Sequence, residues 1–311
     1  MNHQSFNDII KQINQSPDLS KNMHYLLIKI KDDCFFHSFK HERTPSDIRS
    51  LSKTVMALLT GILIENRDDL TLETPIWPTI KKVVELTNKD NLNKLNKLQV
   101  KDLLNHTIGY DQVLMMRQDI MGKDPLTLVD ELINTPIVHE PGSYFLYSNA
   151  GFYLLSVFLQ EFLQEDLLTI VNHYLFKPLN ITNFKWQRYG LYLAGATRLW
   201  LDPFDLLKIG EVLLNNGSPV VSKDWIDYLR SVSTHTPKHD KPYHKYLRKV
   251  AYGQGLWLSE STDLYFGHGT GGQILVILPK EKAIVITIAD LKSLSELELM
   301  IDTLLSKQIQ E

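Results

Sequence analysis

Ser50 and Lys53 are the two residues of the sequence whose types and spacing most directly suggest chemistry. They lie in Ile48–Leu59, where a polar edge turns into an apolar helical stretch. Residues three apart on a helix are neighbours, so the lysine amine is predicted to reach the serine hydroxyl. A nucleophilic serine needs a nearby base and a stabiliser for the oxyanion that it creates. The lysine can be the base, and backbone N–H groups at the helix N-terminus can contribute to the stabiliser.

A second chemically suggestive segment follows the turn Pro141-Gly142 and ends at Tyr147-Ser148-Asn149, directly before an apolar run predicted as a helix. Ser148 or Asn149 could simply cap that helix, and Tyr147 could simply be a packed aromatic. A tyrosine near a cationic lysine, however, can have its phenolate favoured and act as a general base. An asparagine amide offers both a donor and an acceptor, which suits holding a lysine and a substrate amide together.

The third segment is the glycine-rich run His268-Gly269-Thr270-Gly271-Gly272, between two predicted strands. Glycines at a strand edge let another backbone or a ligand approach closely. A substrate lying beside the strand would need such an edge, with a backbone N–H left to bind the oxyanion. Taken alone, the run is equally well explained as a hairpin turn, and His268 as a histidine without a catalytic role.

The elements that must position these residues form an α/β (α+β) pattern with strands at both ends of the chain. Strands in His24–Phe39 and Ala251–Ile288 predict an antiparallel five-stranded sheet flanked by the terminal helices. The periodicity from Pro75 to about Asn183 is helical and predicts an inserted all-helical region. The predicted domains are therefore 1–74 with 184–311 and, inserted between them, 75–183. The active site is expected between the two.

Composition excludes several classes of function. The chain has 311 residues with a formal net charge of −3, which gives no electrostatic case for nucleic acid or a membrane surface. The basic cluster 238–249 is interpreted as a solvated loop. Cys34 is the single cysteine, so no intrachain disulfide can form. No export signal or membrane span is visible, which favours a cytoplasmic protein; an extracellular one is expected only if a leader had been trimmed.

Taken together and in this order, the three segments resemble the serine β-lactamase and penicillin-binding protein family, in particular its class C β-lactamase-like branch. The resemblance extends beyond them. Leu103–Gly109 is similar to the family's "LL-x-HTSG" stretch and Pro141–Leu155 to "PG-x-x-F-x-YSNAGYxLL". Ala194–Gly217 is similar to a glycine-rich turn followed by a "DLxKxGxxLLNxG" helix. The resemblance implies the β-lactamase/transpeptidase-like fold.

The resemblance also implies a role for each motif residue. Ser50 would be the acylated nucleophile, and Lys53 its proton acceptor or the partner that tunes the base. Tyr147 would be the general base, and Asn149 would position the lysine and the substrate amide. The segment His268-Gly269-Thr270 would occupy the family's third motif. The Ser50 N–H and one from Thr270 or Gly271 would form the oxyanion hole. No cofactor or metal is expected.

One residue departs from the antibiotic-hydrolysing members, which usually carry Lys-Thr-Gly in the third motif. A histidine is largely neutral near pH 7, so His268 leaves a fixed positive charge for a substrate carboxylate missing. This favours a serine hydrolase of small esters, D-amino-acid amides or peptides. A penicillin-binding carboxypeptidase or weak β-lactamase and a non-catalytic binding or sensor module remain the alternatives. Oligomeric state, acyl group and leaving group stay open.

Overall fold

The protein is described by a computed structural model that covers residues 1–235, 245–259 and 263–306. Two compact units separate in it: a first unit of residues 1–54 and 199–311 and a second unit of residues 55–198. The sequence-based domain limits lay at 74/75 and 183/184. The first unit ends at Thr54, within helix α3 (Ser52–Glu65), whereas the sequence-based limit at 74/75 lay in the loop after that helix.

The helices alternate with short and long strands along the chain. The helices are α1 His3–Gln15, α2 Leu19–Asn22, α3 Ser52–Glu65, α4 Trp77–Ile80, α5 Leu92–Leu95, α6 Val100–Leu104, α7 Arg117–Ile120, α8 Leu128–Asn134, α9 Ala150–Leu163, α10 Leu167–Val171, α11 Pro203–Leu214, α12 Lys223–Leu229 and α13 Ser295–Leu304. The strands are β1 Met23–Ile30, β2 Asp33–Ser38, β3 Ser46–Asp47, β4 Lys185–Trp186, β5 Arg188–Tyr189, β6 Tyr192–Leu193, β7 Leu199–Leu201, β8 Thr234–His235, β9 Ala251–Tyr252, β10 Trp257–Leu258, β11 Tyr265–His268, β12 Ile274–Leu278 and β13 Ala283–Ala289. Turns of other helical types are Arg49–Leu51, Lys89–Asn91 and Asn172–Phe176.

The first unit is built on an antiparallel sheet in the order β2-β1-β13-β12-β11-β10-β9-β8. The antiparallel sheet is confirmed, but its predicted count of five strands is wrong, because the described part of the sheet has eight. Five strands are long, and β8, β9 and β10 are two-residue strands that extend one edge. Ala251–Leu258, predicted as one strand, is divided by a turn containing Gly255, whose φ is +82°.

Terminal helices pack on this sheet, as the apolar patterning predicts. Helix α1 buries Phe6, Ile9 and Ile13, and the Phe6 ring lies 5.5 Å from that of Phe35 on β2. The strands β12 and β13 are buried along their whole length, as expected for a sheet covered on both faces. Helix α11 approaches them so closely that a Cβ at Gly210 would meet Leu275 and Ile284 at 3.1–3.3 Å.

The second unit is mainly helical and is organised around α9. Ten consecutive residues of α9 from Ala150 are buried, which identifies it as a core helix rather than an amphipathic surface helix. A Cβ at Gly151 would stand 2.5 Å from the carbonyl oxygen of Leu103, so glycine allows α6 to pack directly on the start of α9. No helix in the described part of the chain is long and apolar enough to cross a bilayer.

Candidate active site

Ser50 lies in the tight helical turn Arg49–Leu51 that leads directly into α3. Arg49 has a left-handed φ of +48°, an uncommon conformation for a residue with a side chain. Its N–H donates to Asp47 Oδ1 at 2.9 Å, and Asp47 is held in β3, which pairs with β7. The sharp entry into the helix is therefore fixed by the residues that precede Ser50, and Ser50 itself remains partly exposed.

Lys53 occupies the first turn of α3, and its ammonium nitrogen lies 3.3 Å from Ser50 Oγ. The side chain is almost completely buried, with a relative exposure of 1%. Burial disfavours the charged amine and lowers the pKa of Lys53 to about 7. Near neutral pH much of Lys53 is therefore the uncharged amine, which can accept a proton from the serine hydroxyl.

Strand β11 packs at Gly267 against the turn Arg49–Leu51, which contains Ser50. A Cβ at this position would stand 2.4 Å from Leu51 Cδ2 and 3.4 Å from Thr54 Oγ1. Thr54 in turn donates through Oγ1 to the carbonyl oxygen of Gly255 at 2.8 Å. The absence of a side chain at Gly267 thus lets β11 pack on the turn that contains Ser50 and on the first turn of α3, which contains Lys53.

Replacing Gly267 with alanine is expected to lower any turnover at Ser50 at least about tenfold, because the added methyl must displace Leu51, the neighbour of Ser50. Overpacking of this kind costs about 1–3 kcal/mol of unfolding free energy. Turnover and urea unfolding are measured in parallel. The double variant Gly267→Ala/Leu51→Val removes the clashing Cδ2 atom and should recover much of the activity. Full activity in Gly267→Ala alone would contradict the close packing.

The turn after β11 contains one backbone N–H suited to an oxyanion. Gly269 N–H donates to Gln273 O at 2.7 Å, and Gly272 N–H donates to Gly269 O at 3.3 Å. Gly271 N–H donates to Gln273 Oε1 at 3.0 Å, so it is already used. In the part of the chain that the structure describes, the N–H groups of Ser50 and Thr270 have no hydrogen-bond acceptor. Of the two donors predicted in this motif, the structure therefore favours Thr270.

Arg49 connects the turn Arg49–Leu51, which contains Ser50, to the glycine-rich turn after β11. Its guanidinium donates to Asp290 Oδ1 at 2.5 Å and to Thr270 Oγ1 at 3.4 Å. A Cβ at Gly271 would stand 3.1 Å from the guanidinium carbon of Arg49 and 2.9 Å from Gln273 Nε2. Neither Arg49 nor Gln273 was singled out from the sequence. Gln273 is buried within the turn, and Arg49 precedes the serine, so only the folded chain reveals that both brace the N–H donors.

Tyr147 and Asn149 belong to the second unit, where they precede α9. Asn149 stands at the helix cap position, but its side chain makes no capping bond. Its Nδ2 instead donates to the carbonyl oxygen of Met115 at 2.9 Å, and Ser148 Oγ accepts from Ala150 N–H at 3.2 Å. The capping interpretation therefore applies to Ser148 and not to the Asn149 amide, which is buried and fixed by a backbone carbonyl.

His106 packs against Tyr147, with ring centroids 4.6 Å apart. It is buried, has a left-handed φ of +57° and accepts through its carbonyl from the Leu146 N–H at 3.0 Å. Its ring also lies 5.3 Å from that of Phe152 on α9. The sequence placed His106 in a family-like stretch without assigning it a task. The structure shows that it supports the ring and the backbone of the Tyr147 segment.

His268 ends β11, and both of its ring nitrogens make polar contacts with described residues. Its Nε2 lies 2.7 Å from Glu298 Oε1 on α13, and its Nδ1 lies 3.3 Å from Lys249 Nζ. Lys249 places an ammonium beside the histidine, whereas the absence of a fixed charge for a substrate carboxylate at this motif stays a prediction. Lys249 was included in the basic cluster interpreted as a solvated loop; residues 238–244 of that cluster lie outside the described residues. No local signal links Lys249 and Glu298 to His268.

A family model described as Beta-lactamase matches residues 40–299, which covers most of the chain and includes Ser50, Lys53, Tyr147, Asn149 and the turn after His268. The chain belongs to the beta-lactamase family. Members of this family are serine hydrolases, and the contact between Ser50, in the turn before α3, and Lys53, in the first turn of α3, agrees with that chemistry. The mixed fold with its antiparallel sheet is that of the β-lactamase/transpeptidase-like proteins.

Individual relatives are distant. Protein flp of Staphylococcus aureus (strain NCTC 8325 / PS 47) is 24% identical over 234 residues, which cover 66% of this chain and 46% of that protein. The chain thus matches about half the length of this relative. EstCE1, a hydrolase with promiscuous acyltransferase activity, has a similar structure with a TM-score of 0.77, 16% identity and coverage of 96% and 98% of the two chains. A penicillin binding protein from Bacillus halodurans also has a similar structure, with a TM-score of 0.72, 16% identity and coverage of 97% of this chain and 98% of that chain.

Proposed function

We propose that the chain is a serine hydrolase that forms an acyl-enzyme on Ser50 and acts on small esters, D-amino-acid amides or peptides. The observation that carries the proposal is the buried Lys53 amine, 3.3 Å from Ser50 Oγ. Burying a lysine side chain is costly, and a buried group with a strongly shifted pKa supports a functional site. Its pKa, lowered to about 7, suits a base that works near neutral pH.

In acylation, Ser50 Oγ attacks the carbonyl carbon of the substrate, and the carbonyl electron pair moves onto its oxygen. The serine proton passes to Lys53 and Tyr147, which act as one proton-accepting unit in this proposal. Collapse of the tetrahedral intermediate breaks the bond to the leaving group, which takes up that proton. Water then attacks the acyl carbonyl carbon while the same unit accepts a water proton. Collapse of this second intermediate breaks the bond to Ser50 Oγ, which takes up that proton, and the carboxylic acid product leaves.

Two backbone groups are proposed to stabilise the negative oxygen that forms in both steps. The Ser50 and Thr270 N–H groups are the donors that the described chain leaves without acceptors around the nucleophile. Arg49 and Gln273 support this assignment because they hold the glycine-rich turn from two sides. Removing one oxyanion-hole donor commonly costs about 10²–10³ in kcat. Asn149 is assigned the positioning of the substrate amide by its place in the motif.

A fluorophosphonate probe tests the nucleophile directly. Wild-type protein is expected to be labelled once per chain, and Ser50→Ala is expected to abolish labelling, because the probe bonds only to an activated serine. Ser52→Ala is the matched control, since Ser52 is buried two residues away and its Oγ donates to the Arg49 carbonyl at 2.6 Å. Persistent labelling of Ser50→Ala would refute the assignment. Absence of labelling in the wild type would favour the non-catalytic alternative.

A penicillin-binding carboxypeptidase or weak β-lactamase is the second candidate. The ammonium of Lys249 beside His268 favours it, because substrates of these enzymes carry a carboxylate that a cation can bind. Incubation with a fluorescent penicillin and with nitrocefin separates the two candidates. A stable penicillin adduct on Ser50, or nitrocefin turnover faster than that of short esters, would favour this second candidate.

A further inference from the structure

We propose that Arg49 is a positioning residue that aligns both donors of the oxyanion hole, and that Asp290 holds Arg49 in the orientation that this requires. The proposal rests on the proposed function and names the residues that set the geometry of its oxyanion hole. It starts from the place of Arg49 in the chain. Arg49 directly precedes Ser50, which supplies one proposed donor, and its side chain reaches Thr270, which supplies the other.

The backbone of Arg49 orients the peptide that carries the Ser50 N–H. Its φ of +48° turns that peptide in a direction that is uncommon for a residue with a side chain. Such a conformation persists only where the surrounding contacts hold it. The Arg49 N–H bond to Asp47 Oδ1 at 2.9 Å is one such contact, and the ion pair with Asp290 is another. The backbone and the side chain of Arg49 are therefore fixed together.

The side chain of Arg49 lies along the glycine-rich turn on either side of Thr270. A Cβ at Gly269 would stand 3.3 Å from Arg49 Cβ, and a Cβ at Gly271 would stand 3.1 Å from the guanidinium carbon. Between these two glycines, the guanidinium donates to Thr270 Oγ1 at 3.4 Å. Arg49 thus lies beside three consecutive residues of the turn, and the N–H proposed as a donor belongs to the middle one.

Asp290 holds the guanidinium from the segment that follows β13. Its Oδ1 accepts from Arg49 Nη2 at 2.5 Å, and its N–H donates to the carbonyl oxygen of Asn22 at 2.9 Å. The side chains of Arg49 and Asp290 are 28% and 64% exposed, and ion pairs with such exposure contribute little to folding stability. We therefore expect the loss of this pair to change the alignment of the turn more than the stability of the protein.

The neighbours of Asp290 contact the same turn. Leu291 N–H donates to the carbonyl oxygen of Gly271 at 3.0 Å. Gln273 Nε2 donates to the carbonyl oxygen of Ala289. The segment 289–291 thus supports the turn through its backbone, and Asp290 is the residue of this segment that holds the arginine.

Two substrates that differ in one atom measure the oxyanion hole itself. O-p-Nitrophenyl thionoacetate carries sulfur in place of the carbonyl oxygen of p-nitrophenyl acetate, and sulfur is a weak hydrogen-bond acceptor. The ratio of kcat/KM for the oxygen ester to that for the sulfur ester therefore reports how well the donors are aligned. Arg49→Met keeps an unbranched side chain without a charge. It is expected to lower this ratio about tenfold, less than the loss of about 10²–10³ that follows removal of a whole donor.

Three further variants assign the effect to the ion pair. Asp290→Asn keeps the shape of the side chain without its charge and should lower the ratio about threefold, because Arg49 keeps its contact with Thr270. Arg49→Lys keeps the charge but lacks the planar fork that reaches two partners, so it should recover only part of the ratio. The double variant Arg49→Met/Asp290→Asn should be no worse than Arg49→Met, since Asp290 acts through Arg49.

Arg43→Met is the matched control, because it breaks another arginine–aspartate pair of the first unit, in which Arg43 Nε lies 2.9 Å from Asp202 Oδ2. It should leave the ratio unchanged. Equal losses on the oxygen and sulfur esters in Arg49→Met would indicate a merely structural role and overturn the proposal. A wild-type ratio in Arg49→Met would also overturn it. Additive losses in the double variant would overturn the role of Asp290.

Hydrogen exchange separates this proposal from the proposed function, because it requires no turnover. The amide protons of Gly271 and Leu291 are both bonded at the turn. In Ser50→Ala protein, Arg49→Met should speed their exchange about tenfold, whereas Arg43→Met should not. Absence of fluorophosphonate labelling in the wild type would refute the Ser50 chemistry and leave this result valid. Unchanged exchange at both amides would refute the positioning by Arg49 while leaving the Ser50 chemistry intact.

Discussion

Replacing Lys53 with methionine is expected to lower kcat for ester hydrolysis about 100-fold or more, the usual scale for a general acid–base group. Methionine keeps the unbranched shape of the side chain but cannot accept the Ser50 proton, whereas the wild-type Lys53 amine nitrogen lies 3.3 Å from Ser50 Oγ. Tyr147→Phe is expected to cause a loss of similar size. If the two residues act as one unit, the double variant should be little worse than the more damaged single variant.

The pH profile provides a readout that a purely structural defect would not alter. Because burial lowers the pKa of Lys53 to about 7, kcat/KM in the wild type should rise with pH through an ascending limb near pH 7. Below that value the lysine is protonated and cannot accept the serine proton. Residual activity in Lys53→Met should lack this limb. A methionine variant with the full rate, or a wild-type profile flat from pH 6 to 9, would contradict the role of Lys53.

Local features of the site were predictable from the sequence because they depend on spacing along one element. Lys53 lies three positions after Ser50, and helical geometry brings that spacing onto one face whatever surrounds it. The pattern of β1 and β2 around Asp32-Asp33 likewise specifies a hairpin through its own turn chemistry. Such interactions are encoded within a few residues, so periodicity and turn residues are sufficient to find them.

Contacts between distant segments were not predictable in the same way. Lys249, His268 and Glu298 come from a loop, a strand and a helix, and their meeting depends on how β11 and α13 pack rather than on any local pattern. The strand count failed for a related reason. The strands β8 to β10 have two residues each, too short for an alternating pattern, and they exist because β11 offers an edge on which to pair.

The glycines near His268 were correctly interpreted as sites of close packing, but the sequence did not identify the residues that pack against them. The glycines around His268 indicated close approach, and the structure identifies what approaches each one. Leu51 packs closely against Gly267, and the Arg49 guanidinium packs closely against Gly271. The glycine-rich pattern predicts that another group packs closely there. It does not identify Leu51 and Arg49 as those groups, because both lie more than 200 residues away along the chain.

Lys53→Met is also expected to stabilise the folded protein while it removes activity. The wild-type lysine has its pKa lowered from 10.5 to about 7, so the unfolded chain binds its proton more tightly than the folded chain does. At about 1.36 kcal/mol per pKa unit, this difference destabilises the fold by roughly 5 kcal/mol at pH 6. Methionine of similar shape carries no proton and no such penalty. Active sites commonly contain groups that are retained for function at a cost in stability.

The sign of the pH dependence distinguishes this cause from better packing. Between pH 7 and 10.5 the unfolded state holds more protons at Lys53 than the folded state, so wild-type stability rises with pH there through this group. The advantage of Lys53→Met should therefore be largest at pH 6 and shrink by roughly 3 kcal/mol at pH 9. Urea unfolding of both proteins at the two pH values measures this difference in unfolding free energy, and all other titrating groups cancel in the difference.

Lys245→Met is the control, because it removes an exposed lysine and should show no such trend with pH. A stability difference that is constant with pH would mean that Lys53 is not buried as a proton-poor amine, and the proposed base would then lose its physical basis.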